Sequence, residues 1–266
     1  MSYSVNIAKN ISKQLKKLLF AQLNDIINIV YLNKISQNKK IHLIRQKCKK
    51  TRALLLILKP LMRKNSDYIR LDSYIKNIAK KLSLSRDKKV LNDTYKKIIK
   101  KYKLKKSKYK EIKHYLNSIK KDKINNEFIK EQLALTVKES TLCKKEIKSS
   151  IIKKRCEHNI ETVINKLYMK IIKLQEKAFH YEDDEDIHEY RKWVKYYMYI
   201  METIKKETAE LEKLTTLLGK YHDITVFKEY LQNFNKPIKN QFLFYLQKEQ
   251  KYLLKDIKKI AFKIFR

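Results

Sequence analysis

Two stretches of this sequence carry the same cationic spacing. One reads His42-Leu-Ile-Arg45-Gln-Lys47-Cys-Lys49-Lys50-Thr-Arg52 and the other His188-Glu-Tyr-Arg191-Lys192-Trp-Val-Lys195-Tyr-Tyr-Met-Tyr199, so both contain His-x-x-Arg-x-x-x-Lys. On a helix turning about 100° per residue, positions i, i+3 and i+7 fall near 0°, 300° and 340°. Imidazole, guanidinium and ammonium therefore form one stripe, which Arg52 extends in the first copy. Such a stripe can grip the oxygens of an anion. Arg45, Arg52, Arg86 and Arg191 can fork onto two oxygens, while Lys49, Lys50, Lys192 and Lys195 act as point charges. His42 and His188 donate hydrogen bonds when protonated, and the surrounding cations disfavour that protonation until an anion arrives. Ile44, Leu54, Leu55, Leu58 and Val194 lie off the stripes, where a core can take them.

The correspondence extends both ways. Lys9 precedes His42 by 33 positions, and Arg155 precedes His188 by the same 33. Downstream, Leu82-Ser-Leu84-Ser85-Arg86-Asp87 parallels Leu217-Leu218-Gly219-Lys220-Tyr221-His222-Asp223, each placing an Asp at the expected start of a following helix. The pattern is that of an internal duplication with diverged connections.

Catalytic constellations are absent from this reading. No nucleophile has an identifiable base, no carboxylate pair is placed for acid–base work, and no ligand cluster calls for a metal or another cofactor. The acidic run from Glu182 to Asp186 lacks the alternation and glycine of a calcium loop and is read as a helix start, where carboxylates favour the positive end. Cys143, Cys156 and His158 fit no zinc spacing, and His222 is read as structural. The expectation is a binding protein, not an enzyme.

The elements that must position the stripes are helical. One glycine, Gly219, in 266 residues argues against a fold of many hairpins and against glycine-rich phosphate loops. Apolar residues recur at helical spacing, with Ile7, Ile11, Leu15, Leu18, Leu19 and Leu23 on one stripe of a first helix over about 4–33. Further helices are expected over about 38–63 (bent near Pro60), 67–83, 87–103, 142–180, 186–206, 207–218, 223–233 and 237–264. Residues 101–125 are lysine-dense and read as a boundary, helical in part, between two halves of about 4–125 and 126–266.

Composition sharpens the partner class. Lys and Arg number 64 against 28 Asp and Glu, a formal net charge of +36, while 43% of residues are hydrophobic. That is enough to build a core. Codon bias raises lysine, but acidic codons are AT-rich too, so the surplus points to a compensating polyanion. Three cysteines without a C-x-x-C pair argue against a disulfide framework. The longest apolar run, Ala53 to Leu58, is far short of the roughly 20 residues that span a bilayer. A cytoplasmic protein without a transmembrane segment is expected, and no sequence feature sets its oligomeric state.

These motifs resemble the conserved histidine α-helical domain, or CHAD, family. IHEYRKWVKYYMY looks like the family's His-x-x-Arg-Lys-x-x-Lys-x-x-x-Tyr helix, and LLGKYHDITVF like its Leu-Gly-x-x-x-Asp segment. The first half matches more loosely through IHLIRQKCKKTRALL and LSLSRDKKVL, with Leu84-Ser85 where the family has Leu-Gly. The resemblance covers about residues 5–260 and implies a single CHAD-like domain over 1–266. It implies an all-α fold of two four-helix bundles related by a pseudo-twofold repeat, with long antiparallel helices and a central basic groove. The implied ligand is inorganic polyphosphate, sometimes on polyphosphate granules, with Lys9, His42, Arg45, Lys49, Lys50, Arg52, Arg86, Arg155, His188, Arg191, Lys192 and Lys195 as contacts. A sequence-independent nucleic-acid binder is the alternative that the charge also fits.

Overall fold

Amphipathic spacing without hairpin glycines resolves into helices throughout. The computed structural model describes residues 11–82, 84–118, 126–150 and 157–266. Among them are ten α-helices and no strand: α1 Ile11–Tyr31, α2 Gln37–Leu58, α3 Asn65–Lys81, α4 Leu84–Lys101, α5 Lys110–Ser118, α6 Asn126–Ser149, α7 Glu157–Tyr181, α8 Asp184–Thr203, α9 Ala209–Gln232 and α10 Ile238–Ile264. No helix among the described residues is long and apolar enough to cross a membrane.

Local chemistry sets several boundaries. The Ser36 hydroxyl accepts from the Lys39 N–H and starts α2. Pro60 cannot donate to the helical ladder, and the chain leaves α2 through a short 3-10 turn, Lys59–Leu61. The Asp183 carboxylate accepts from the N–H groups of Glu185 and Asp186, so the acidic run opens α8 as the charge–dipole argument requires. Pro237 stands immediately before α10.

Three expectations change. The helix expected over 142–180 is two helices, α6 ending at Ser149 and α7 beginning at Glu157. Most of α6 was not foreseen, because half of its buried stripe is small and weakly apolar: Ile129, Leu133, Thr136, Ser140, Cys143 and Ile147. That spacing is helical, but a count of large apolar residues does not register Thr136 and Ser140. The helices expected over 207–218 and 223–233 are one helix, α9, running through Gly219. Asp223 therefore sits inside α9 and does not start a helix. An interior glycine costs about 0.5–1 kcal/mol relative to alanine; burial of Leu214, Leu218, Tyr221 and Ile224 on the same helix outweighs that cost.

The chain packs as two compact units, each assembled from separated segments. One unit comprises residues 1–86, 125–169 and 195–208; the other comprises 87–124, 170–194 and 209–266. Each draws on both of the sequence halves, since the first half divides after Arg86 and the second divides within α7 and α8.

In the first unit, α1 packs on α2, α2 on α3, α3 on α6 and α6 back on α1, a closed ring of four helices. Its core includes Leu15, Leu19, Leu23 and Ile26 of α1, Ile44, Leu54, Leu55 and Leu58 of α2, and Ile75 and Ile78 of α3, all essentially buried. Each such side chain contributes about 1.5–3 kcal/mol. The residues expected off the cationic stripe of α2 are thus the ones that hold it in place.

In the second unit, α9 and α10 pack against one another. Phe242 of α10 lies among Tyr95, Tyr109 and Phe227, with ring centroids 5.4–5.6 Å away. Aromatic pairs in this range add about 0.5–1.5 kcal/mol beyond burial. Gln175, also buried, accepts from the Tyr190 hydroxyl and donates to the Phe265 carbonyl, so its amide is satisfied at both ends.

Candidate functional site

The cationic face of the first unit is built on α2. His42 is exposed on it, while Arg45, Lys49, Lys50 and Arg52 are half-buried along it. Arg45 reaches from Nη1 to the carbonyl of Ala79 in the last turn of α3. It thereby satisfies a helix-end acceptor and is fixed in orientation. Arg52 donates from Nε to Asp72 Oδ1 at 2.7 Å, and Lys76 reaches Asp72 Oδ2 at 2.8 Å. Burial works against the Arg52 charge, but the Asp72 hydrogen bond and nearby Tyr196 outweigh it and hold the guanidinium above its ordinary value. Burial likewise pushes Asp72 up, and the hydrogen bonds from Arg52 and Lys76 more than reverse this, leaving the carboxyl below its ordinary range.

The C-terminal part of α8 belongs to the same unit. Arg52 lies over the Tyr196 ring at 5.5 Å, and Lys50 lies over the Tyr199 ring at 5.4 Å. Lys50 also pairs with Glu202 at 2.5 Å. Lys195, Tyr199 and Glu202 are spaced i, i+4 and i+7, so Lys195 shares the stripe of α8 that meets Lys50. Of the expected contacts whose side chains are described, six therefore belong to this unit: His42, Arg45, Lys49, Lys50, Arg52 and Lys195.

The second unit holds His188, Arg191 and Lys192. His188 is exposed, and its Nδ1 stands 3.1 Å from Nδ1 of His222, on α9. Arg191 is only 8% exposed, so most of this cation lies within the helix packing and not on a solvated ridge. Lys192 pairs with Glu189 at 2.9 Å, and the Trp193 indole N–H donates to the same carboxylate at 2.7 Å. Lys170 stands over the Trp193 ring at 3.6 Å. Burial raises the Glu189 pKa, but the hydrogen bonds from Lys192 and Trp193 prevail and the carboxyl is held below its ordinary value. Arg45 and Arg191 share one detail: in both, Nε is buried and makes no hydrogen bond, though each residue has other interactions.

Lys9 and Arg155 lie outside the described residues. Arg86 falls in the first turn of α4, with its side chain outside them. The residues that sequence reasoning missed are the acids and rings that hold the cations, namely Asp72, Glu189, Glu202, Tyr196 and Trp193, together with His222. Apart from Glu189 with Lys192 and Trp193, and Asp72 with Lys76, these pairings join separate helices, so no spacing along the chain announces them. Glu189 to Lys192 and Trp193, at i+3 and i+4, and Asp72 to Lys76, at i+4, were the readable signals.

Elsewhere the chemistry is quieter. Burial pushes the Cys48 and Cys143 thiols up to about 12, which makes them inert packing groups. A cleft of about 760 Å³ in the second unit is lined by Asp184, Tyr221, Lys228, Phe244 and Gln250, among others, and by none of the expected contacts. Asp184 there is engaged by Tyr221, Lys228 and Gln250. Among the described residues no group of three His, Cys, Asp or Glu is gathered to hold a metal ion.

An all-helical chain with histidine-led basic helices α2 and α8 defines a class of helical domains. The family model of the CHAD domain matches residues 30–232, and the chain belongs to that family. Among solved structures it is similar to the CHAD domain from the plant Ricinus communis, at 15% identity with a TM-score of 0.66, covering 98% of this chain and 93% of that one. That likeness carries the fold. No curated protein matches the chain.

Proposed function

We propose that this chain binds inorganic polyphosphate, or a closely similar polyanion, through His42, Arg45, Lys49, Lys50, Arg52 and Lys195 on one surface and His188 and Lys192 on another, where the enclosed Arg191 adds its charge from behind, without catalysing its turnover. The family supports the ligand, since some of its members bind polyphosphate. The observation that carries the reading is the set of anchored cations on α2, with Arg45 tied to α3 and Arg52 held in place by Asp72. A flexible chain with about one charge per internal phosphate and no bases has nothing else to recognise. Affinity then follows from fixed cations and counterion release, by analogy with nucleic-acid backbones. Non-catalytic binding is consistent with the absence of a hydrolytic constellation in the sequence. Association with polyphosphate granules follows from the same ligand.

Single-stranded nucleic-acid binding would use aromatic faces for base stacking. At these surfaces Tyr196 and Tyr199 are each 5% exposed, and Lys170 occupies a face of Trp193. The deciding experiment compares polyphosphate, heparin and double-stranded DNA as competitors at about 0.15 M salt, where loose attraction between exposed charges is screened. Polyphosphate should displace the others. Preference for DNA, or equal affinity for all three, would overturn the proposal.

A further inference from the structure

Helix α10 buries one face, with Phe242, Leu246, Leu253 and Ile257, in the core of its unit. Its other face stands in water and carries large rings. Phe244 is 59% exposed, Phe262 55% and Tyr252 51%. Phe244 and Phe262 are 18 positions apart. That is five full turns, so they share one bearing and stand about 27 Å apart along the axis. The exposed Lys248, Lys251, Lys255 and Lys259 fall between them, within about 60° of the same line. Acids keep off this line. Glu249 and Asp256 lie about 120–140° round the helix, and Glu249 is held by Lys101 and the Tyr102 hydroxyl. On the opposite flank Glu182 is paired with Lys258 at 2.5 Å, and Asp183 accepts from the first N–H groups of α8. The exposed charges of the neighbouring α9, by contrast, are balanced: Glu212, Lys213, Lys220 and Glu229.

Charge complementarity decides what covers such a face. The partner must be anionic along the length of the helix and must also offer apolar material to the rings. A nucleic-acid duplex supplies the charge, but its curved backbone has no apolar layer. A bilayer with acidic lipids supplies both, headgroup charge above and hydrocarbon beneath, and it is flat, so one straight helix face meets it along its whole length. Lysine stems reach the headgroups while the rings enter the interfacial layer. No helix among the described residues is long and apolar enough to span a membrane, so contact of this kind is peripheral. None of the expected polyphosphate contacts lies on α10.

We propose that this face of α10 docks the protein on membranes rich in anionic phospholipid, with Phe244 and Phe262 entering the interface and the four lysines between them pairing with headgroups. The test is flotation of the full chain with phosphatidylcholine vesicles holding about 30% phosphatidylglycerol, at about 0.15 M salt. The wild type should bind them at least about tenfold more tightly than pure phosphatidylcholine vesicles. Phe244→Ser with Phe262→Ser leaves the charge unchanged and should weaken binding about tenfold. Lys251→Gln with Lys255→Gln should also weaken it about tenfold, with far-UV circular dichroism confirming helical content throughout. Phe262 rests on Phe179 at 5.5 Å between ring centroids, so a variant that spares it gives a second readout. In Phe244→Trp, lipid with brominated acyl chains should quench the added emission, beyond any quenching of Trp193 in the wild type. Absence of vesicle binding, binding undiminished by the loss of both rings, or no added quenching overturns the proposal. Tighter, ring-dependent binding to a single-stranded oligonucleotide overturns it as well and assigns the face to nucleic acid.

Discussion

Arg52 and Asp72 join α2 to α3 across 20 positions of sequence, Nε to Oδ1 at 2.7 Å, with the carboxylate side chain 8% exposed and the guanidinium 24%. The pair fixes where the remaining N–H groups of the arginine can point. It also binds two core helices together on the cationic face. A residue that repels the ligand thus positions one that attracts it.

Asp72→Asn keeps the shape of the side chain and removes its charge. Two charge-assisted hydrogen bonds, from Arg52 and Lys76, are weakened together. The expected loss of stability is about 1–3 kcal/mol, read from urea unfolding midpoints. A change within about 0.3 kcal/mol would mean that the pair is solvated in solution.

Acid should act through the same carboxylates. Asp72 and Glu189 both have folded values below their ordinary 3.8 and 4.5. A depressed carboxyl contributes stability that is complete above its unfolded value and disappears as pH falls through the folded one. Stability should therefore hold steady from neutrality to about pH 5 and decline below it. Asp72→Asn should give a shallower decline over that acid range, measured by thermal unfolding at successive pH values.

Lys49 and Lys195 offer the cleanest test of the first surface. Arg45 also satisfies the Ala79 carbonyl, so its removal should lower stability as well as binding. Lys49→Ala with Lys195→Ala should weaken polyphosphate binding about tenfold. It should also flatten the dependence of log K on log salt by about 1.5, near the 0.7–0.9 expected per lost phosphate contact. Three exposed lysines near α5, Lys103, Lys105 and Lys106, serve as the comparison. Their joint replacement should cost under about threefold, and an equal loss would mean that bulk charge dominates.

Gly219→Ala should stabilise the chain. Gly219 lies inside α9, its φ is not positive, and an added Cβ would meet nothing within 4 Å. The gain expected is about 0.5–1 kcal/mol, a rise in Tm of about 1–4 °C. A fall in Tm would show that the helix needs the glycine for a reason outside local packing.

The sequence by itself determined the helical class, the basic character and the two His-x-x-Arg-x-x-x-Lys stripes, because a period near 3.6 and a surplus of one charge are written residue by residue. It located the cores of α1 and α2 correctly, since Leu15, Leu19, Leu23, Ile44 and Leu54 are large enough to mark a face. It overlooked most of α6, where Thr136 and Ser140 occupy buried positions that demand small size more than hydrophobicity, and it divided α9 at a glycine that packing overrides. Only the tertiary structure decided which cations have carboxylate partners, that Arg191 is enclosed, and that His188 meets His222. Contacts such as Arg52 with Asp72, Lys50 with Glu202 and the two imidazoles join residues 20 to 152 positions apart. No helical period links such positions; they become neighbours when the apolar faces of their helices pack together.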